Sequence, residues 1–120
     1  MQTHIHNIYI KNDTHINIFS LYIYMQIEEP CNKSFTIYSK TNCKYCVLVK
    51  SLLDENKIPF NEINCDDYLT VDKEQFLKFI KERANRDFKT FPIVFCDGKF
   101  VGGFVETDRL IMNFNEQVEF

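Results

Sequence analysis

The order of strand-like and helix-like segments from Phe35 onward is the feature that most limits how this chain can fold. Short runs rich in Ile, Val, Phe and Tyr predict strands over residues 35–38, 58–63, 91–96 and 99–101. Longer runs with apolar residues at helical spacing predict helices over residues 46–56, 72–84 and from about 105 onward. The predicted element order is therefore β-α-β-α-β-β-α.

The connections between these segments restrict the topology further. A helix joins the first two strands, which favours a parallel pair with a right-handed crossover. Asp97-Gly98 is a strong signal for a two-residue hairpin, which makes the last two strands antiparallel. Residues 66–71 are predicted to form a loop, after which Asp72 caps the second helix. We expect an α/β fold with a four-stranded mixed sheet and helices on both faces.

Length and composition exclude several classes of protein. The chain has 120 residues, of which 45% are hydrophobic, so it is long enough for one domain with a compact core. Its net charge of −3 argues against a nucleic-acid partner. We find no apolar run of the roughly 18 residues needed to span a membrane and no signal-peptide pattern. We therefore expect a cytosolic monomer without a membrane partner.

Residues 1–24 differ in composition from the rest of the chain. They contain all three histidines but only two charged residues. Three interpretations stay open: a hairpin, a flexible tail, or a stretch upstream of a true start at Met25. We assign no chemistry to this segment and expect the domain to cover residues 34–120, with 1–33 as an extension. Abundant residues with AT-rich codons indicate a low-GC genome or a large DNA virus, in which case host cytosol or the virion becomes the expected location.

Two of the five cysteines form the motif Cys43-Lys44-Tyr45-Cys46 between a predicted strand and a predicted helix. A thiolate is the reactive form of cysteine, and the positive end of a helix stabilises it. Lys40 and Lys44 add positive charge nearby. Because Cys46 lies about one helical turn after Cys43, it can attack a mixed disulfide formed there. We hypothesise that Cys43 is the nucleophile and Cys46 the resolving thiol.

A zinc site is the main alternative interpretation of this motif. Zinc usually requires two further Cys or His ligands, and the sequence has no second closely spaced pair in the predicted domain. We therefore expect no metal.

Two later motifs can contribute to the same site. Pro92 opens a predicted buried strand after Phe91, and a cis bond there would turn the preceding backbone groups outward; the alternative is an ordinary trans proline. Gly102-Gly103 separates the last strand from the last helix, so a ligand can approach the backbone closely. The free N–H groups of that helix can hold a carboxylate, although a plain turn is the simpler interpretation.

Together, these motifs resemble those of the glutaredoxin family over about residues 34–115. The matching pieces are Lys40-Thr41-Asn42-Cys43-Lys44-Tyr45-Cys46, Thr90-Phe91-Pro92 and Asp97-Gly98-Lys99-Phe100-Val101-Gly102-Gly103. The resemblance implies a thioredoxin-like fold and a protein that uses glutathione to reduce disulfides and glutathione mixed disulfides.

The resemblance also implies which residues contact glutathione: Lys40, Tyr45, Phe91, Pro92, Gly103, Val105 and Glu106. Lys40 would pair with the glycine carboxylate, and the backbone of Phe91 with the cysteinyl part. The N–H groups of Val105 and Glu106 would hold the γ-glutamyl carboxylate. Disulfide-bearing or glutathionylated proteins are the implied partners.

Two departures from the family pattern affect these expectations. Lys44 stands between the cysteines where dithiol members usually have proline, so the reduction potential does not carry over. Phe104 and Val105 replace a common small polar or acidic pair, which affects side-chain contacts to the γ-glutamyl group. Two alternatives remain. One is a dimer that holds a [2Fe–2S] cluster through glutathione, which the lysine between the cysteines neither requires nor excludes. The other is a thioredoxin-type reductant served by a reductase, against which Lys40 and Gly102-Gly103 count.

The other cysteines are predicted to have different environments. Cys31 and Cys96 should lie at the end of the sheet away from Cys43, with Cys96 buried as a small apolar residue. Cys65 ends the second strand and should lie at the same end as Cys43. It could there accept a disulfide or a glutathione cap.

Overall fold

The computed structural model describes residues 26–118. In chain order the elements are β1 (Phe35–Ser39), α1 (Lys44–Glu55), β2 (Phe60–Asn64), α2 (Asp66–Ala84), β3 (Ile93–Cys96), β4 (Lys99–Gly102) and α3 (Phe104–Val118). The predicted order β-α-β-α-β-β-α is confirmed for this part of the chain. The hairpin considered for residues 1–24 and the three histidines lie outside the described residues.

The four strands form one mixed sheet in the order β2-β1-β3-β4. β1 pairs in parallel with β2 and antiparallel with β3, where Phe35 lies opposite Cys96. β3 and β4 are antiparallel and are joined at Asp97-Gly98, whose φ angles of 53° and 82° are those of a tight hairpin turn. This pairing places the carboxyl ends of β1 and β2 at one edge, where the Cys43 loop begins.

The sheet has an apolar core on each face. The cluster on the side of α1 and α3 consists of Phe35, Ile37, Val49, Leu53, Val94 and Ile111. The cluster on the side of α2 includes Tyr38, Ile63, Phe76, Phe79, Ile80, Ile93 and Phe95. Ile37 and Tyr38 are neighbours in β1 but belong to opposite clusters, because successive side chains of a strand point to opposite faces. Helices on both faces are therefore confirmed.

The loop predicted for residues 66–71 is wrong, because α2 already begins at Asp66. Asp66 and Asp67 lie in its first turn, where negative charge is favourable, and the Leu69 N–H donates to the Cys65 carbonyl at 2.9 Å. Asp72 interrupts the helix with φ −159°, and its Oδ1 accepts from the Gln75 N–H at 3.1 Å. Asp72 thus caps the second half of α2 as predicted, but the segment before it is also helical.

Other differences are small and have local causes. α1 begins at Lys44, two residues earlier than predicted, because Cys43 serves as its N-cap. The ladders of β2 and β3 start after Pro59 and Pro92, which have no N–H to donate. The spacing of apolar residues in the last helix predicts that Phe114 faces inward with Leu110 and Ile111, but Phe114 is 39% exposed. Within residues 26–118, no helix is long and apolar enough to cross a bilayer.

Candidate redox site

Cys43 and Cys46 form a disulfide at the amino end of α1, with 5.2 Å between their Cα atoms. The Cys46 N–H donates to Cys43 Sγ at 3.2 Å, a contact that favours negative charge on that sulfur. Cys43 is partly exposed, whereas Cys46 is only 2% exposed. Cys43 is therefore the sulfur that a substrate can reach, and Cys46 is placed to react only with Cys43.

The loop before Cys43 is held by the junction between β2 and α2. The Thr41 N–H donates to Asp66 Oδ1 at 3.0 Å, and the Thr41 hydroxyl donates to the other carboxylate oxygen. These hydrogen bonds lower the pKa of the Asp66 carboxyl. The pair of Thr41 and Asp66 was not predicted from the sequence. An acidic residue directly after a strand parallel to β1 is nevertheless a usable signal for such a contact.

A cavity of about 330 Å³ lies beside the dithiol. Among the residues lining it are six of the predicted glutathione contacts: Tyr45, Phe91, Pro92, Gly103, Val105 and Glu106. The Phe91–Pro92 peptide bond is cis, which is the conformation considered from the sequence. A Cβ on Gly103 would stand 3.5 Å from the Pro92 carbonyl oxygen, so this glycine packs closely against the proline segment. The structure brings these residues together; their roles toward glutathione stay predictions.

Lys40, the seventh predicted contact, lies on the other side of Phe91. Its Nζ is 5.6 Å from the centre of the Phe91 ring, a distance at which a cation and an aromatic face attract each other. Lys40 lines a second cavity of about 340 Å³ that shares Thr90 and Phe91 with the first. The predicted contacts thus occupy two adjoining cavities.

The amino end of α3 already has a carboxylate bound to it. Glu106 Oε1 accepts from the Gly103 N–H at 2.9 Å, and the backbone N–H groups of Gly103 and of Glu106 itself lower the pKa of this carboxyl. Gly102 makes room for the Glu106 side chain, because a Cβ there would lie 2.8 Å from Glu106 Cγ. The sequence predicts a γ-glutamyl carboxylate at this helix end. The Glu106 carboxylate was not predicted there, although a Glu three residues after an N-cap is typical of such a contact.

An ion pair lies on the opposite side of the dithiol, in a cavity of about 450 Å³ that Cys43 and Cys46 also line. Lys50 Nζ and Glu62 Oε2 are 2.9 Å apart, and the Ser39 hydroxyl donates to the same oxygen at 2.7 Å. The hydrogen bond from Lys50 is the main cause of the lowered pKa of Glu62. This pair was not predicted from the sequence, because its members are 12 residues apart, on a helix and on the strand that follows it.

The three free cysteines lie where the topology placed them. Cys65 is at the same sheet end as Cys43, but its thiol is fully buried in the core, and this burial raises its pKa. That environment gives no support to the suggested redox role. Cys96 lies opposite the first residue of β1, at the far end, and is partly exposed, not fully buried as expected. Cys31 is likewise partly exposed and precedes β1. Among residues 26–118, no group of three or more His, Cys, Asp or Glu side chains is arranged to hold a metal ion.

Residues 35–101 match the family model described as Glutaredoxin. The chain belongs to the glutaredoxin family. This glutaredoxin is 37% identical over 67 residues to glutaredoxin 1 of Rickettsia conorii, covering 56% of this chain and 61% of that protein. It is also 35% identical over 69 residues to the glutaredoxin-like protein NrdH of Lactococcus lactis, covering 58% of this chain and 85% of that protein.

The fold agrees with solved glutaredoxin structures. The crystal structure of a buckwheat glutaredoxin–glutathione complex aligns with a TM-score of 0.58 at 25% identity, covering 79% of this chain and 81% of that one. The expected thioredoxin-like fold is therefore confirmed. Family membership and the Cys43–Cys46 disulfide together support thiol–disulfide oxidoreductase chemistry. The expectation about the source genome stays a prediction.

Proposed function

We propose that this protein is a glutathione-dependent thiol–disulfide oxidoreductase. The observation that carries the proposal is the dithiol of a glutaredoxin-family chain, with a reachable Cys43 and a buried Cys46, beside the cavity formed by Tyr45, Phe91 and Pro92. A buckwheat glutaredoxin with the same fold is a glutathione complex, which supports glutathione as the ligand. We further propose that the protein is a monomer in the cytosol. The reducing conditions there would keep the free cysteines Cys31, Cys65 and Cys96 in the thiol form.

The proposed reaction begins when the Cys43 thiolate attacks one sulfur of a substrate disulfide. The substrate S–S bond breaks, its other sulfur leaves as a thiolate that takes a proton from water, and a mixed disulfide forms at Cys43. In the dithiol route Cys46 then loses its proton and attacks Cys43 Sγ, which releases the second substrate thiol. Two glutathione molecules reduce the resulting disulfide and leave as glutathione disulfide.

A coupled assay with NADPH, glutathione reductase and a small glutathione mixed disulfide tests this proposal. We expect Cys43→Ser to abolish turnover, because it removes the sulfur that attacks. Cys46→Ser should retain part of the activity, since a glutathione mixed disulfide at Cys43 can be reduced directly by a second glutathione. Cys31→Ser is the matched control at the other end of the sheet and should behave like the wild type. Absence of wild-type activity would reject glutathione dependence.

A thioredoxin-type reductant is the second candidate. The Glu106 carboxylate already occupies the helix end proposed for the γ-glutamyl carboxylate, and this favours a donor other than glutathione. Replacing glutathione and its reductase by NADPH and thioredoxin reductase in the assay discriminates the two. Turnover only in this second system would establish the thioredoxin-type function.

The iron–sulfur alternative has its own test. A cluster would need the reduced Cys43 thiolate from each of two protomers together with glutathione. Protein purified anaerobically with glutathione should then absorb visible light and elute as a dimer, whereas the proposed monomeric oxidoreductase should do neither.

A further inference from the structure

A groove with three lysines lies next to the dithiol, and we call it the lysine groove. Its rim carries Lys40, Lys73 and Lys89, and its floor is formed by Leu69, Leu77 and Phe91. The cavity has a volume of about 340 Å³, and none of the described residues that line it is acidic. It therefore combines an apolar floor with a positively charged rim.

The positive charge of this groove is local, since the whole chain has a net charge of −3. All three rim lysines are exposed, and none of them takes part in the ion pairs recorded within residues 26–118. The hydrogen bonds from Thr41 are the main cause of the lowered pKa of Asp66 and engage its carboxylate, and the charge of Lys40 lowers this pKa further. The rim is therefore available to negative charge on another molecule.

The cavity at the opposite end of the site has no lysine or arginine among the described residues that line it. The cavity on the far side of Phe91 contains the Glu106 carboxylate, and the two cavities adjoin at Thr90 and Phe91. Lys40 precedes the dithiol in sequence and lines the groove, whereas Tyr45 lies between the two cysteines and lines the other cavity. An extended segment whose disulfide reaches Cys43 would thus meet the rim lysines in one direction only.

We propose that the lysine groove binds acidic residues that follow the reactive cysteine in a disulfide-bearing protein. The inference rests on the proposed function and on the contact that the family resemblance implies between Lys40 and the glycine carboxylate of glutathione. A protein segment that runs in the same direction places the residues after its cysteine over Lys73 and Lys89. An apolar side chain among those residues would pack on Leu69, Leu77 and Phe91. Acidic residues before the cysteine would instead lie on the other side of Phe91, away from the rim lysines.

Two peptides of identical composition test the direction of this preference. In one, aspartates follow the cysteine, and in the other they precede it; both carry thionitrobenzoate as a mixed disulfide. The Cys43 thiolate of the prereduced full chain attacks the peptide sulfur, and the coloured thionitrobenzoate anion leaves, so no further reductant is needed. We expect the first peptide to react about tenfold faster at low salt, with the difference shrinking at high salt.

Charge reversal assigns the effect to the groove. The double variant K73E/K89E should lose the preference or invert it. The matched control K57E/K99E has the same net charge change on exposed lysines that do not line the groove, and it should keep the preference. Equal rates for the two peptides, or equal effects of both double variants, would overturn the proposal. The proposal would also be overturned if K73E/K89E slowed the reaction with a glutathione mixed disulfide as much as the reaction with the first peptide. The groove would then serve glutathione alone.

The outcome also separates this inference from the function on which it rests. If the prereduced chain releases thionitrobenzoate from neither peptide, dithiol exchange itself fails, and the inference is rejected with it. If both peptides react at the same rate, exchange stands and only the groove assignment is rejected.

Discussion

Gly102 shapes the site because it has no side chain, which leaves space for Glu106. Its φ of +135° is strained for any side chain, and an added Cβ would lie within 3 Å of three atoms of Glu106. We expect Gly102→Ala to lower the free energy of unfolding by about 2 kcal/mol, measured by urea denaturation. In a Glu106→Ala background the same substitution should cost about 1 kcal/mol less, because two of the three close atoms, Cγ and Oε1, are then absent. An equal cost in both backgrounds would show that Glu106 does not need this space.

Glu62 links the fold to pH through its ion pair with Lys50. Because the hydrogen bond from Lys50 lowers the pKa of Glu62 in the folded chain, the ionised form stabilises the protein above the ordinary pKa of 4.5. That contribution is lost as the pH falls through the lower pKa of the folded state. We expect Glu62→Gln to reduce the free energy of unfolding at pH 7 by at most about 1 kcal/mol, since the pair is partly exposed.

Urea denaturation at pH 7 and at pH 3.5 checks this expectation. The difference between wild type and Glu62→Gln should shrink at the lower pH, because the wild type loses the contribution of ionised Glu62 as the pH falls through the lowered pKa of the folded state. Glu55→Gln, at the exposed end of α1, is the control and should change stability little at either pH. A deficit of the same size at both pH values would mean that the Gln side chain disturbs Ser39 and that charge has no part in the effect.

At the level of elements, the sequence carried most of the topology because local signals and pairing rules agreed. The Asp97-Gly98 turn and the crossover between β1 and β2 leave few ways to order four strands. The helical start at Asp66 escaped detection because the Asn64-Cys65-Asp66-Asp67 stretch resembles a polar loop. Its helicity depends on Tyr68 and Leu69 packing against the core, which is a tertiary effect that no local pattern contains.

The residues of the candidate site fall into two groups: those with a local sequence signature, and those that only folding brings together. The dithiol, the cis proline and the double glycine have local signatures, so sequence analysis found them. The tether between Thr41 and Asp66 and the pair between Lys50 and Glu62 join elements that meet only after folding. The position of the Glu106 carboxylate depends on the space at Gly102, which is a matter of packing.

On the scale of the whole molecule, the segment just before β1 is packed against the domain. Ile27 is 6% exposed and belongs to the core cluster on the α2 side. The Tyr38 hydroxyl donates to the Glu28 carbonyl oxygen, and burial raises the pKa of Tyr38, which keeps this donor protonated. Glu29 forms an ion pair with Arg83 of α2. Residues 26–33 thus contribute contacts that a domain boundary at residue 34 would remove.

Two shortened chains test where the folding unit begins. A chain that starts at Met25 should match the full chain in urea denaturation, because every contact just described is kept. A chain that starts at Ser34 should lose about 3 kcal/mol, since burial of an Ile side chain contributes about 2 kcal/mol and a buried hydroxyl without its partner costs about 1 kcal/mol more. Ile27→Ala in the full chain isolates the first contribution. Equal stability of both shortened chains would support the boundary predicted at residue 34, whereas a deficit in the chain from Met25 would assign a stabilising role to residues 1–24.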